Sequence, residues 1–315
     1  MNSKKLLGNG LLLLAALIWG TAFAFQRAGM DSIEPISFTA ARMVLAAGVV
    51  GLVAFLTRGR DRKLAASQSE EEQQLCKRHT ILGGVSCGVL MTAATLLQQI
   101  GIVYTTAGKA GFITAMYMLL VPVIGFLFLK RRNSWLVWLA VLLGVAGMYF
   151  LCMSESFSLS RGDFLVLICA LLFSFHILCC DYFVRRGNPI RISAIQFATA
   201  MVLCTAAALI AETPSWDKIV SALVPILYCG IASGGIGYTL QMVGQKFTDP
   251  ASASLLMSME SVFAVLGGVI LLQERMSSRE IFGCIIMFTA IVLVQIPLPG
   301  KKEVRAGEEQ EKTNG

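Results

Sequence analysis

The sequence has few charged residues for its length. Charged residues make up 14% of the 315 positions, whereas hydrophobic residues make up 56%. A soluble domain of this size needs more polar residues to cover its surface. The scarcity of charge therefore excludes an ordinary soluble protein and predicts an integral membrane protein.

The chain also lacks the patterns that several other classes require. It contains no G-x-x-x-x-G-K-[S/T] loop, so no ATP site is predicted. Its long apolar runs do not alternate with polar residues, which argues against a transmembrane β-barrel. Nine cysteines are scattered without metal-ligand spacing and are interpreted as packing residues, so we predict neither a metal nor a cofactor.

Long apolar stretches predict ten transmembrane helices, because about 20 residues cross the hydrocarbon core. The predicted spans are 8–28, 34–57, 80–103, 108–129, 134–153, 163–184, 189–211, 219–243, 250–273 and 279–297. The stretch 189–211 is the most polar of them, so nine crossings is the alternative. The fold class is all-α integral membrane.

Basic residues are distributed unevenly between the predicted loops and termini. With the N-terminus inside, 19 of the 26 lysines and arginines fall on the cytoplasmic side and 6 on the other, while Arg42 lies within a span. This bias predicts a cell-membrane protein with both termini in the cytoplasm. Because the basic residues do not gather on one face, no nucleic-acid partner is predicted despite the net charge of +7.

The chain repeats itself. Residues 8–46 align without gaps over 162–200 at an offset of 154, and residues 97–150 align over 240–293 at an offset of 143. Five spans in each half place the second half in the membrane from the opposite side, which predicts two inverted five-helix repeats, 7–153 and 162–297. We further predict a solvated cytoplasmic loop at 58–78 and a disordered cytoplasmic tail at 298–315.

An ordered set of motifs accompanies these repeats. They are Trp19 and Gly20 in the first span, Pro35 and Arg42 in the second, Gly111 to Thr114 with Val121 and Pro122 in the fourth, Met259 to Ala264 in the ninth, and Leu271 to Arg275 after it. In this set the chain resembles the EamA-like members of the drug/metabolite transporter superfamily. The family usually has Glu-Pro in the ninth helix, and here Ser261 stands in place of that proline, so the residues do not predict a kink there.

The resemblance implies ten helices, cytoplasmic termini and a central cavity between the repeats. It implies a secondary transporter, usually an exporter of small metabolites such as amino acids or amphipathic compounds, working by alternating access. An integral-membrane lipid-processing enzyme and a channel or scramblase share this hydropathy and are the alternatives, although two lone histidines do not form an enzyme-like cluster. The sequence leaves the substrate, the direction, the coupling ion and a homodimer open.

Ionisable side chains inside spans are costly, so they are candidate functional residues. Glu260 lies near mid-depth of the ninth span, where it could carry a proton, meet a substrate amine, pair with Arg42 or bond a neighbouring helix. Tyr117 occupies the equivalent position in the first half, and both are expected to face the axis between the halves. Arg42 is equivalent to Gln196 and could bind a substrate carboxylate, bond backbone carbonyls or extend to the cytoplasmic rim.

The remaining candidates are polar or aromatic residues at depth. His176 within the sixth span is either a packed, hydrogen-bonded histidine or a proton relay. Gln98, Tyr238 and Gln241 are expected to line a cavity, because polar amides facing lipid are unfavourable. Trp19 lies deeper than an interfacial belt requires, which favours a cavity or interhelix position.

Overall fold

The computed structural model describes residues 3–65, 68–105, 107–131, 133–152, 160–264, 266 and 277–295. Within these ranges the regular structure is helical, without a strand. The first half contains α1 (Ser3–Gly29), α2 (Pro35–Ala65), α3 (Glu70–Val103), α4 (Ala107–Ala115), α5 (Tyr117–Leu127) and α6 (Trp135–Cys152). The second half contains α7 (Arg161–Val184), α8 (Pro189–Ala211), α9 (Trp216–Ser221), α10 (Leu223–Leu227), a π-helix (Tyr228–Gly237), α11 (Tyr238–Gln245), α12 (Pro250–Met257), α13 (260–264) and α14 (Ser278–Gln295).

Seven helical segments of the described chain are long and apolar enough to cross a membrane, and two shorter apolar helices accompany them. The stretch 189–211 is α8 with the same bounds and is one of the seven; it is more apolar than Leu223–Gln245, so the expectation that it is the most polar span is wrong. A multi-pass membrane protein is therefore confirmed, while the count of ten crossings stays a prediction. The motif from Leu271 to Arg275 and the predicted disordered tail 298–315 lie outside the described residues.

Most of the stretch 58–78, predicted as a solvated cytoplasmic loop, is helical. Helix α2 continues to Ala65, and α3 begins at Glu70. The Ser69 side chain accepts a bond from the Glu72 amide while the Glu72 side chain accepts one from the Ser69 amide, a capping box that starts α3. Hydropathy marks where a helix leaves the hydrocarbon, whereas the helix itself ends where its capping and propensity allow.

Two helical segments are interrupted at equivalent positions. In the first half α4 gives way to α5 at Met116, and in the second half α12 ends before a turn at Ser258 and Met259. The second interruption forms without the family's proline. Ser254 and Ser258 each donate a side-chain bond to the carbonyl three residues earlier, and such bonds compete with regular helix geometry.

Helices α1 and α7, the first helices of the two halves, run antiparallel. The Thr248 hydroxyl donates to Asn9 near the start of α1 at 3.0 Å. The Thr248 carbonyl accepts from Arg185, directly after the end of α7, at 3.1 Å. The beginning of one helix and the end of the other therefore lie at the same end of the molecule.

Small residues bring the halves into close contact. A Cβ atom on Gly8 would lie 2.9 Å from the Gly244 carbonyl, and one on Gly162 would lie 2.6 Å from the Gly101 carbonyl. These are reciprocal contacts, since Gly8 is equivalent to Gly162 and Gly101 to Gly244 in the repeat alignment. Glycine permits such close backbone approach between membrane helices.

The difference in residue number between equivalent positions of the two halves increases by one across the π-helix. Gly88 faces the Gln196 carbonyl and Gly230 faces the equivalent Arg42 carbonyl, at an offset of 142. Beyond the π-helix, equivalent residues such as Gly101 and Gly244 differ by 143. The wider turns of a π-helix accommodate one extra residue without breaking the helix.

Candidate functional site

A cavity of about 50 Å³ lies between the two halves. Helices α1 to α5 line it from the first half, and α7, the π-helix, α11, α12 and α13 line it from the second. Eight of the nine sequence-predicted site residues are in its wall: Trp19, Arg42, Gln98, Tyr117, His176, Tyr238, Gln241 and Glu260. The ninth, Gln196, is buried behind His176.

Arg42 is buried, and two of its three side-chain nitrogens make no hydrogen bond to the described residues. Its side chain is only 5% exposed, so it does not extend to the rim. One nitrogen, Nη1, donates to Gln26 Oε1 at 3.0 Å, whereas Nε and Nη2 have no partner among the described residues. Because an unpaired buried guanidinium is costly, these two donors suit an anionic group that enters the cavity.

Glu260 and Tyr117, which are equivalent in the repeat alignment, bond directly to each other. The Tyr117 hydroxyl donates to Glu260 Oε1 at 3.1 Å, and both residues are buried. Each is the first helical residue after the interruption in its own half. Equivalent residues of the two halves therefore meet at one point of the cavity wall.

Glu260 does not pair with Arg42 in this conformation. Within the part of the chain that the structure describes, no carboxylate lies within ion-pair distance of Arg42. The wall of the cavity thus carries one cation and one carboxyl group that do not neutralise each other directly. In a site of low dielectric, both can interact strongly with an entering ligand.

His176 is fully buried and hydrogen-bonded. Its Nε2 lies 2.9 Å from Gln196 Oε1, and its ring lies edge-on to Phe173 and Tyr238. The amide nitrogen of Gln196 has no partner in the described structure. This geometry agrees with a packed histidine, one of the two interpretations from the sequence, and its role in transport stays a prediction.

The other predicted residues form the remaining wall. Trp19 Nε1 donates to the Ser233 carbonyl at 3.1 Å, and its ring contacts Tyr238 with centroids 4.8 Å apart. Gln98 donates to Thr114 at 3.2 Å. Gln241 donates to Gln245, while its own carbonyl oxygen has no partner among the described atoms.

Sequence reasoning missed Gln26, Thr114 and Ser233. Gln26 lies two residues before the end of the first predicted span, 8–28, and its amide inside an apolar helix was the signal available. Thr114 and Ser233 are small hydroxyl residues in apolar runs and give no such signal. Their positions on the cavity wall follow only from how the helices pack.

Comparison with known proteins gives the family to which this fold and cavity belong, a family of membrane transporters. The model of the EamA-like transporter family matches residues 6–153 and again 160–296, once for each half. The chain belongs to the EamA-like transporter family.

Relatives of similar sequence occur in archaea and bacteria. The chain is similar to an uncharacterized transporter of Archaeoglobus fulgidus, at 29% identity over 93% of this chain and 87% of the relative. It is also similar to the uncharacterized transporter YoaV of Bacillus subtilis, at 20% identity over 92% and 96%. A protein of known crystal structure has the same fold, with a TM-score of 0.73, 18% identity and coverage of 94% of this chain and 97% of that one.

Proposed function

We propose that the protein is a secondary active transporter that exports small metabolites, such as amino acids or amphipathic compounds, across the cytoplasmic membrane. The observation that carries the proposal is the pair of opposite chemical groups on one cavity wall. Arg42 offers two unpaired donors to a carboxylate, and Glu260 offers a carboxyl group to an amine or a proton. A small zwitterion satisfies both.

Apolar and aromatic residues define the rest of the substrate class. Trp19, Phe23, Phe173 and Tyr238 line the same cavity. Such a wall favours an apolar side chain on the substrate and excludes strongly hydrated ones. An apolar amino acid or a small amphipathic amine therefore fits the wall better than a sugar or a nucleotide.

The substrate must reach this site by a change in conformation. A cavity of about 50 Å³ holds only a few water molecules. Widening it requires the halves to separate at the Tyr117–Glu260 bond, and the interruptions next to these residues supply hinges. We infer alternating access, in which two inverted repeats open the cavity to one side of the membrane at a time.

Coupling to protons is assigned to Glu260. Protonation would neutralise the carboxyl group and remove its attraction for a substrate amine, so proton and substrate compete for the same group. An exporter using this scheme releases its amine substrate as a proton binds from outside.

The test uses purified protein in proteoliposomes. A thermal-shift screen against amino acids, nucleosides, sugars and amphipathic drugs first selects a ligand, and counterflow of that ligand then measures transport. We expect saturable counterflow without ATP and accumulation driven by a pH gradient. Flux that does not saturate would indicate a channel or scramblase, and a product formed from lipid would indicate an enzyme.

Glu260→Gln separates coupling from binding. If Glu260 carries only the proton, the variant loses gradient-driven accumulation and retains exchange between equal pools. If Glu260 binds the amine as well, as proposed, both activities and the affinity for the amine substrate fall. The matched control is Asp163→Asn, the same change at a buried carboxylate whose equivalent in the first half is Asn9. Wild-type accumulation and pH dependence in Glu260→Gln would refute the assignment.

The orientation is tested by labelling single cysteines in a cysteine-free background. Cysteine introduced at Ser67 or Glu308 should react only from the cytoplasm, and cysteine at Ser158 only from outside. Full external labelling at position 308 in intact cells would overturn the proposal of ten crossings with both termini in the cytoplasm.

A further inference from the structure

Three cysteines and one histidine converge where α3 packs against α7. Cys87 on α3 lies 3.7 Å from Cys180 on α7 and 3.4 Å from the neighbouring Cys179, measured between sulfur atoms. Cys180 Sγ lies 3.5 Å from Nε2 and 3.9 Å from Nδ1 of His176, one turn earlier on α7. Cys87, Cys180 and His176 are fully buried, and Cys179 is half-buried. The sequence separates Cys87 from the others by about 90 positions, so no spacing motif announced the cluster.

These distances match the ligand spacing of a tetrahedral metal site. Sulfur ligands lie about 2.3 Å and nitrogen ligands about 2.0–2.1 Å from zinc, so ligand atoms on a tetrahedron lie roughly 3.6–3.8 Å apart. The donor atoms of Cys87, Cys180 and His176 all lie within 4.8 Å of one another. We infer that these three residues form a binding site for a soft, thiophilic divalent ion such as Zn²⁺ or Cd²⁺.

Gln196 contacts the ligand His176 without being a ligand itself. Its Oε1 lies 2.9 Å from His176 Nε2 and accepts a hydrogen bond from that nitrogen in the tautomer that carries its proton there. In that tautomer Nδ1 carries the lone pair that can bind the ion, and since Cys180 Sγ lies nearer to Nε2 than to Nδ1, the ring must rotate to direct that lone pair at the sulfurs. A metal-binding histidine almost always donates its second nitrogen in this way, which fixes the ring orientation and tautomer. Gln196 is therefore a positioning residue for the site.

The charges of the proposed site balance. When the ion binds, Cys87 and Cys180 each lose a proton, and two thiolates neutralise the divalent cation. A neutral complex is acceptable at a depth where a net charge would be costly. Cys179, beside Cys87, can supply a further sulfur ligand after a change of rotamer.

Cadmium binding to the reduced, full-length protein tests the site. Titration of Cd²⁺ in detergent, after reduction with a phosphine, is followed by thiolate-to-cadmium charge-transfer absorption. We expect saturation at one ion per chain. Cys87→Ser and Cys180→Ser should each lose most of the absorption, and Cys87→Ala and Cys180→Ala serve as second variants if a serine variant does not fold, as judged by thermal unfolding without metal.

Two further variants sharpen the result. Cys204→Ser removes an equally buried cysteine of α8 outside the cluster and should bind Cd²⁺ like the wild type. Gln196→Leu should weaken binding by about 10- to 100-fold while keeping the absorption at saturation, because the ligands remain.

Three outcomes would overturn the proposal. The first is the absence of charge-transfer absorption in the reduced wild type. The second is unchanged affinity in Cys87→Ser relative to Cys204→Ser. The third is absorption that survives in Cys180→Ser and His176→Ala but disappears in Cys179→Ser, which would assign the metal to the Cys87–Cys179 pair alone.

Discussion

We call the contacts at the two ends of the molecule the rim. At the rim, equivalent residues of the two halves make equivalent contacts, whereas in the cavity they do not. At one end the Thr248 hydroxyl bonds Asn9, and at the other the Thr105 hydroxyl bonds Asp163. These are equivalent contacts, because Thr105 aligns with Thr248 and Asn9 with Asp163. Each joins the start of the first helix of one half to the other half.

Equivalent positions in the cavity carry different chemistry. Arg42 of α2 bonds Gln26 of α1, whereas the equivalent Gln196 of α8 bonds His176 of α7. In both halves a side chain of the second helix bonds one of the first helix, yet one half has a cation with unpaired donors and the other an imidazole.

The difference shows which contacts the fold requires and which are free to diverge. Close contacts between backbones permit few solutions, so the rim keeps the same small and hydroxyl residues in both halves. A cavity wall contacts a ligand, and a ligand such as an amino acid has different groups at its two ends. An asymmetric ligand is recognised by an asymmetric wall.

The largest expected effect is on substrate affinity. It comes from replacing Arg42 by glutamine, the residue at the equivalent position, 196, of the second half. Arg42→Gln should lower the affinity for amino acids roughly tenfold to a hundredfold, because a charge-assisted bond contributes about 1.5–3 kcal/mol. Affinity for the matching amino-acid amides, which lack the carboxylate, should stay unchanged. Binding titrations of both series check this, with Arg42→Lys as the charge-conserving variant. An equal loss for acids and amides would make Arg42 a structural residue.

Close backbone packing at the rim is tested by adding a methyl group at each of two equivalent glycines, Gly8 and Gly162. Gly8→Ala would place Cβ 2.8 Å from Thr248 Oγ1, and Gly162→Ala would place it 2.6 Å from the Gly101 carbonyl. Each should cost about 1–3 kcal/mol in the free energy of unfolding, measured in detergent.

The matched controls for the rim are Gly10→Ala and Gly48→Ala, where nothing lies within 4 Å of the new Cβ. These variants should be neutral or more stable by up to about 1 kcal/mol, since alanine favours the helix. Destabilisation of the controls by the same amount would remove the argument from close packing.

A smaller effect is expected at the bond that joins the halves. Tyr117→Phe removes the hydroxyl that donates to Glu260 and should change stability by about 0.5–1.5 kcal/mol. Because the bond holds the cavity closed, the variant should also increase labelling of a cysteine introduced at Thr114 on the cavity wall. Unchanged labelling would show that the bond does not restrain opening.

The smallest effect concerns an ion pair outside the cavity, between Glu34 and Lys218. The Lys218 ammonium donates a hydrogen bond to Glu34 and holds the pKa of that carboxyl below its usual value. A lowered pKa means that the stabilisation is present above the usual value of 4.5 and is lost as the pH falls through the folded-state pKa.

Glu34→Gln should therefore cost less than about 1 kcal/mol at neutral pH, because the pair is partly exposed. The difference from the wild type should disappear in acid. Thermal unfolding of both proteins across this pH range checks the sign, and a difference that grows in acid would contradict it.

Much of the candidate site could be predicted from the sequence. In an apolar helix a glutamate, an arginine or a glutamine is conspicuous, and its cost in lipid directs it inward, which is why Arg42, Gln98, Gln241 and Glu260 face one cavity. Gln26 carries the same signal. The partners of these residues were not predictable, since Glu260 had both Arg42 and a neighbouring helix within reach.

The sequence by itself determined that the protein lies in the membrane, that it has two related halves, and which chemical groups lie at depth. Composition and a constant offset suffice for these, because lipid imposes the same requirement on every span. Only the tertiary structure decided the rest: the interruption at Ser258, the extra residue in the π-helix, and the meeting of Cys87 with Cys180. These features depend on contacts between residues far apart in the chain, and no local pattern records which helix will become the neighbour of another.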